Sequence, residues 1–439
     1  MLDRTTPSSV SSASLSRRGL LRAAAGAAAT FTLAPYGFAR APRTNALERL
    51  TIGVIGCGGM GRANMNSFLE FADCQIVALC DVDATHLDAA HAQALDTYAR
   101  QGFGVAPESI TKHRFHEELL ARADVDAVVV GSPDHWHALH VVHAVKAGKD
   151  VYGEKPLSLT IGQGRAMSDA VRAHGRVFQT GSQQRSDSRF RRACELVRNG
   201  RLGRVHTVTC VLHRGSETEP HAAEPVPAHL DYDRWLGPAP FVPYHSQRTH
   251  YIFRHQYDYS GGIVTDWSAH HVDIAHWALG LERTGPVHVE ATGTFPQEGP
   301  WDAPLTFDIA ARYATGVTVR ITSEGENGVL FEGDEGSLFV SRGRIASDPE
   351  GILESEIAAN EIHLPVSPGH HRDFVLRTRD RGECIAPIEE AHRSISVAHL
   401  GNIALRSGRA VPWDPGTETT TEPVAARMLD RSMRGGWVL

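Results

Sequence analysis

The feature that most constrains the fold is an apolar run, Leu50-Thr51-Ile52-Gly53-Val54-Ile55, that leads into Gly56-Cys57-Gly58-Gly59-Met60-Gly61 and a helical stretch to about residue 71. A glycine-rich turn between a buried strand and a helix reverses the backbone tightly, lets it approach a diphosphate and packs the helix on the sheet. Gly56, Gly58 and Gly61 take those three parts in order. Gly59 and Met60 complete the turn before a helix expected from about Gly61, whose amino end faces phosphate charge. A second strand over residues 75–80 ends at Asp81, 20 residues beyond Gly61. A carboxylate there binds the hydroxyls of an adenosine ribose and repels a 2′-phosphate, so the pattern predicts NAD rather than NADP.

The same alternation continues. A helix is expected over 85–101, a continuous β-branched strand over 125–130, a helix after Pro133 and a strand over 150–154. Strands alternating with helices at this spacing imply right-handed crossovers and a doubly wound parallel sheet. Beyond Lys155-Pro156 one more helix and strand (176–180) give way to a Pro-, His- and aromatic-rich region over 213–258. A helix over 263–279 is followed by β-rich runs over 287–295, 306–313, 317–323, 328–332 and 337–341, separated by glycine-containing turns. These predict a large, mostly antiparallel sheet, and residues 370–408 read as helical. The fold class is therefore α/β: a linker over 42–49, a dinucleotide-binding Rossmann domain over 50–160 and a substrate-binding α/β domain with an open sheet over 161–439. A chain of 439 residues is long enough for two such cores.

A formal net charge of −7 and the lack of a basic, aromatic-interleaved patch argue against nucleic acid as a partner. The first residues carry a different signal. Ser16-Arg17-Arg18-Gly19-Leu20-Leu21 opens an alanine-rich stretch to about Leu33, and Ala39-Arg40-Ala41 offers a cleavage site. Twin arginines before a mild apolar region resemble a Tat export signal, here residues 1–41, and predict a periplasmic or otherwise exported protein. The stretch is broken by Arg22 and is shorter than the roughly 20 residues a spanning helix needs, so no stable membrane anchor is expected. The six cysteines lack C-x-x-C spacing and name no disulfide; Cys57 and Cys80 read as buried thiols.

Three further clusters carry chemistry. Ser132-Pro133-Asp134-His135-Trp136-His137 follows the strand over 125–130, and ligands meet such sheets at the carboxyl ends of their strands. Ser132, Pro133 and His137 are expected to contact cofactor or cap the next helix; His135 and His137 are weak as metal ligands. Glu154-Lys155-Pro156 closes a buried strand with a charged pair, costly unless it serves a site. Asp266, His270, Asp273 and Trp277 fall at i, i+4, i+7 and i+11 on one helical face behind Gly261-Gly262. On that face His270 would take or give a proton, with Asp266 one turn away holding it or the substrate. From these residues alone, a capped helix with a satisfied histidine stands equally well. His270 and His271 diverge by about 100° around the helix and are poorly placed to share an ion, so no metal site is expected.

Together the glycine fingerprint, Glu154-Lys155-Pro156 and Gly261-Gly262…Asp266-x-x-x-His270-x-x-Asp273 resemble the Gfo/Idh/MocA family of oxidoreductases over residues 50–435. Leu230-Asp231-Tyr232-Asp233-Arg234-Trp235-Leu236-Gly237-Pro238 and Glu389-Glu390-Ala391-His392-Arg393 resemble an exported bacterial subgroup of it. The resemblance implies NAD as cofactor, a carbohydrate substrate, an open sheet used for homo-oligomerisation, and Lys155, Asp266 and His270 as catalytic residues beside the nicotinamide. Ser268, Trp267 and His271 depart from the family pattern and reshape the pocket. The expected reaction is hydride transfer from a sugar carbinol to the nicotinamide. His270 accepts the proton, Lys155 stabilises the alkoxide and Asp266 orients both. Arg185, Tyr257 and Tyr259 are the expected sugar contacts. An exported enzyme meets little free NAD, which favours a tightly held cofactor and a closed redox cycle. One form of that cycle is a glycosidase working through a transient 3-keto sugar. Net dehydrogenation is a rival, and a non-catalytic sugar- or NAD-binding sensor is the alternative from another class.

Overall fold

Residues 49–102 and 106–439 are described in a computed structural model; the expected export signal and nearly all of the linker lie outside them. The chain begins in β1 (Leu50–Ile55), whose residues are nearly all buried, and turns through glycines into α1 (Gly59–Leu69). Then follow β2 (Cys74–Cys80), α2 (Ala84–Arg100), β3 (Thr111–His113), α3 (His116–Leu120), β4 (Ala127–Val130), α4 (Asp134–Lys146), β5 (Asp150–Gly153), α5 (Ile161–Ala173) and β6 (Phe178–Thr180). The six strands form one sheet in the order β3-β2-β1-β4-β5-β6, parallel throughout. β4 reads Ala-Val-Val-Val and is buried along its whole length, because helices cover both faces of a parallel sheet. The order reverses between β1 and β4, and their carboxyl ends open a crevice there.

The first sheet does not stop at residue 160. β6 pairs with β5, so α5 and β6 belong with the dinucleotide-binding sheet, and the expected boundary falls one crossover too early. The rest of the chain builds the second sheet and its helices. α6 (Ser188–Arg198) leads into β7 (Val205–Val211), α7 (Tyr232–Leu236), the long α8 (Gly262–Leu279) and strands β8 (His288–Thr294), β9 (Thr306–Arg312), β10 (Thr318–Thr322), β11 (Gly328–Gly333), β12 (Gly336–Val340) and β13 (Ile345–Asp348). Then come α9 (Gly351–Glu354), α10 (His370–Asp380), α11 (Ile388–Ser407), β14 (Val411–Pro412) and α12 (Pro423–Met428). The expected helix over 370–408 is thus two, parted by a loop with Arg381 in the left-handed region and Pro387 before α11. α10 packs back on the first domain: Phe374 meets Phe68 and Tyr152 edge-on, Arg372 pairs with Asp73 and Arg381 with Asp150.

The second sheet has eight strands in the order β13-β12-β11-β7-β10-β9-β8-β14. It is antiparallel except where β7 runs parallel to β10. α8 and α11 pack against each other and on one face of this sheet, and α11 also meets α5 of the first domain. The other face carries the exposed cross-strand ion pairs Arg320–Asp308 and Arg312–Glu290. Among the described residues no helix is long and apolar enough to cross a membrane.

Candidate active site

A cavity of about 610 Å³ runs from the glycine turn to the first turns of α8. Its floor is set by close backbone contact. Gly56 has φ +88°, a left-handed value, and a Cβ there would strike Gly131 and Ser132 at the end of β4. A Cβ on Gly61 would overlap the carbonyl oxygen of Gly56. These glycines let β1, α1 and β4 converge, whereas a Cβ on Gly59 would meet nothing within 4 Å. Gly58 and Gly59 therefore open at the amino end of α1 onto free space, as a cradle for a diphosphate requires. At the end of β2 the Asp81 carboxylate accepts from the N–H groups of Cys57 (2.6 Å) and Asp83 (2.8 Å). Burial pushes its pKa up to about 6 against those hydrogen bonds. The residues fit NAD: a diphosphate cradle, a helix N-terminus and a carboxylate at the ribose position.

The far end of the cavity is where the two domains meet. Glu154, at the end of β5, accepts from Asn64 (2.8 Å) and from the Lys155 N–H (3.2 Å). Lys155 Nζ donates to Asp266 Oδ1 of α8 at 2.6 Å. The Arg254 guanidinium lies 3.6 Å from the same oxygen. Burial alone would raise the Asp266 carboxyl, but Lys155 and Arg254 outweigh it and hold it below its ordinary value. One turn on, His270 lines the cavity. Burial, then the charges of Lys155 and Arg342, hold its pKa well below the ordinary value, so the imidazole is neutral. A neutral imidazole beside a fixed ammonium pairs a proton acceptor with a cation that stabilises an oxyanion.

Most expected site residues meet here. Gly56, Gly58, Gly59, Met60, Asp81, Ser132, Pro133, Glu154, Lys155, Asp266 and His270 line the one cavity, with Gly61 directly beneath it. Asp266 departs from its expected part, because its carboxylate holds Lys155 and Arg254 rather than His270, whose Nδ1 is buried without a partner. His137 stands behind the wall, its ring nitrogens 2.8 Å from the Ser132 carbonyl and 2.7 Å from that of Pro156.

The three expected sugar contacts do not reach the cavity. Arg185 is 2% exposed and ion-paired with Asp273 of α8 (2.7 Å) and Glu390 of α11, so it clamps two helices. Tyr259 is fully buried among Trp235 and His135. Tyr257 lies between the guanidinium groups of Arg406 and Arg431, 3.5 and 3.8 Å from its ring centre. Each was expected from its neighbourhood in sequence, and each is claimed by partners distant in the chain.

Sequence reasoning missed the residues that the 213–258 excursion brings back over the first domain. Asp231 N–H donates to the Val82 carbonyl (3.0 Å) and Ala84 N–H to that of His229 (2.9 Å), an antiparallel bridge beyond the end of β2. Arg114 pairs with Asp231 (2.6 Å) and Arg234 with Glu117. His250, Tyr251, Phe253 and Arg254 thereby join the cavity wall, His250 against His86 at the adenosine end with ring centres 4.4 Å apart. The histidines and aromatics of this stretch were the available signal; their destination was not in it.

Comparison with known proteins agrees with this geometry. Residues 50–182 match the oxidoreductase family's NAD-binding Rossmann fold, and residues 196–439 match its C-terminal alpha/beta domain. The chain belongs to the Gfo/Idh/MocA family. Relatives in this family include a scyllo-inositol 2-dehydrogenase (NAD(+)) from Bacillus subtilis, 25% identical over 68% of this chain and 80% of its own. A myo-inositol 2-dehydrogenase from Thermotoga maritima is 25% identical over 75% of this chain and 84% of its own. The WlbA dehydrogenase from Bordetella pertussis, solved with NADH and UDP-GlcNAcA, is similar in fold to this chain, with a TM-score of 0.60. It is 20% identical, over 84% of this chain and 99% of its own. The chain is an NAD-dependent oxidoreductase of the Gfo/Idh/MocA family.

Proposed function

We propose that the protein oxidises a hydroxyl of a sugar or glycoside while keeping its NAD tightly bound through the catalytic cycle. The observation that carries this is the convergence of Lys155, Asp266 and a neutral His270 in the cavity that begins at the glycine turn. The glycine turn and the amino end of α1 would hold the diphosphate, Asp81 the ribose, and Pro133, Glu154 and Lys155 the nicotinamide end. When bound, NAD supplies the acceptor for the hydride leaving the carbinol carbon. His270 takes the hydroxyl proton, Lys155 donates a hydrogen bond to the developing alkoxide, and Asp266 fixes Lys155 in place. Oxidation thus yields a ketone, reduced cofactor and one proton.

Retention is supported by the bridge from the 213–258 excursion, which crosses the end of β2 beside the adenosine end of the cavity. It is supported also by Arg17-Arg18 and the apolar stretch after them, which favour export of a folded protein already carrying its cofactor. Retained cofactor favours a closed cycle: either a glycosidase working through a transient 3-keto sugar, or oxidation of one sugar coupled to reduction of another. The test is to denature purified protein, identify the released nicotinamide, and screen sugars and glycosides against native protein with no cofactor added. Turnover by the bound nucleotide supports the proposal; strict dependence on added NAD refutes retention.

A further inference from the structure

Resting on the oxidoreductase reading above, we infer that the substrate is a sugar bearing an oxyanion, a carboxylate or an ester sulfate, received by Arg342 beside Trp267. Three cations, Lys155, Arg254 and Arg342, line the α8 end of the cavity. Lys155 and Arg254 share one carboxylate, Asp266. Two further acids line this end: Glu154, engaged by Asn64 and the Lys155 backbone, and the buried Asp134, which faces Arg254. Arg342 has no carboxylate within ion-pair distance among the described residues. Its neighbour Arg344, two residues on in the turn after β12, does have one, pairing with Glu326 at 2.6 Å.

Arg342 is also held in a particular place. Its guanidinium stands 4.9 Å from the ring centre of Trp267, one residue after Asp266 on α8. Trp267 is half-buried, edge-on to His213 at 4.6 Å and to His270 at 5.9 Å. An indole braced in this way keeps the guanidinium over the substrate end of the cavity while leaving its N–H fork unspent. A planar fork of donors matches the oxygens of a carboxylate or sulfate and offers little to a neutral hydroxyl. A sugar entering between Lys155 and Arg342 would present the reacting hydroxyl to the first and its charged substituent to the second. A neutral sugar would leave the Arg342 fork without an anion in direct contact with it.

The test uses the full protein as purified, with methyl glucoside, methyl glucuronoside and a sulfated methyl glucoside as probes. Binding is measured by calorimetry and turnover by reduction of the bound cofactor. The charged probes should bind and react in preference to the neutral one, and their ranking separates carboxylate from sulfate. Arg342→Gln should raise KM for the preferred anion roughly ten- to hundredfold relative to the neutral sugar, the value of a hydrogen bond to a charged group, so that the preference for charge is lost. Arg342→Lys, which keeps the charge without the fork, should recover part of that loss. Equal binding of neutral and charged probes, or an unchanged KM in Arg342→Gln, would overturn the inference. Failure of every sugar to reduce the cofactor would instead sink the oxidoreductase reading, and the calorimetric preference would still decide this one.

Discussion

Lys155, just past the end of β5, and Asp266, in the first turns of α8, meet at 2.6 Å across the junction of the two domains. Both side chains are mostly withdrawn from water, at 14% and 12% exposure, so the pair holds the ammonium in one place at the head of the substrate cavity. A buried ion pair is a weak source of stability but a good means of fixing direction.

Lys155→Met should therefore lower kcat/KM by about a hundred- to ten-thousandfold, the range for losing a positioned proton-transfer or oxyanion-stabilising group. Bound NAD should remain. Steady-state kinetics on protein of measured cofactor content checks this. A Lys155→Met enzyme with wild-type kcat/KM would remove Lys155 from the chemistry.

Gly61→Ala tests the floor of the site. The added methyl would overlap the Gly56 carbonyl, which is backbone and has no rotamer to yield, so the turn must open. The variant should be purified with little or no nicotinamide and melt at a lower temperature. Nucleotide released on denaturation, measured per chain, reports the first effect. The control is Gly59→Ala, where the methyl meets open space and folding should be unaffected.

Arg185→Gln should separate structure from catalysis. It leaves Asp273 buried without its guanidinium and frees Glu390, at a cost of about 3–5 kcal/mol. Denaturant melts should show that loss, while KM for the sugar changes little in the protein that remains folded. A selective rise in KM with unchanged stability would restore Arg185 as a substrate contact.

Acid should weaken the fold through its buried histidines. Burial depresses His135 and His271 to about 4, and His276, His370 and His399 to about 3, from an ordinary 6.5. The unfolded chain binds these protons first. The stability they contribute is full above pH 6.5 and is lost progressively as pH falls toward the folded values. Melting temperature should thus decline from pH 6.5 downward, above the range where ordinary carboxylates titrate. A flat profile between pH 7 and 5 would contradict this.

Much of the first domain was legible because its chemistry dictates its residues. A turn that must admit a diphosphate needs glycines at fixed spacing, and a strand covered on both faces reads as unbroken Val129-Val130 and its neighbours. Lys155, Asp266 and His270 were brought together in expectation by the family resemblance, since from the residues alone a capped helix with a satisfied histidine stood equally well, and all three line the one cavity. The rest depended on distant partners. β3 and β14 are three and two residues long and show no periodicity. β7 alternates visibly as Val-His-Thr-Val-Thr-Cys-Val, yet its place at the centre of the second sheet is decided by β10 and β11, over a hundred residues on. Arg185 looked like a site residue because its partners, 88 and 205 residues away, cannot be seen from its neighbours.

The bridge between Leu230 and Asp83 has a practical meaning beyond shape. Two backbone hydrogen bonds, Asp231 N–H to the Val82 carbonyl and Ala84 N–H to that of His229, tie the excursion down here, and on the retention proposed above they would slow the departure of a nucleotide compared with the swing of a surface loop. On that proposal each molecule would carry the oxidation level left by its last substrate. A fresh preparation would be a mixed population whose absorbance records its history, and must be brought to one state before any rate is read.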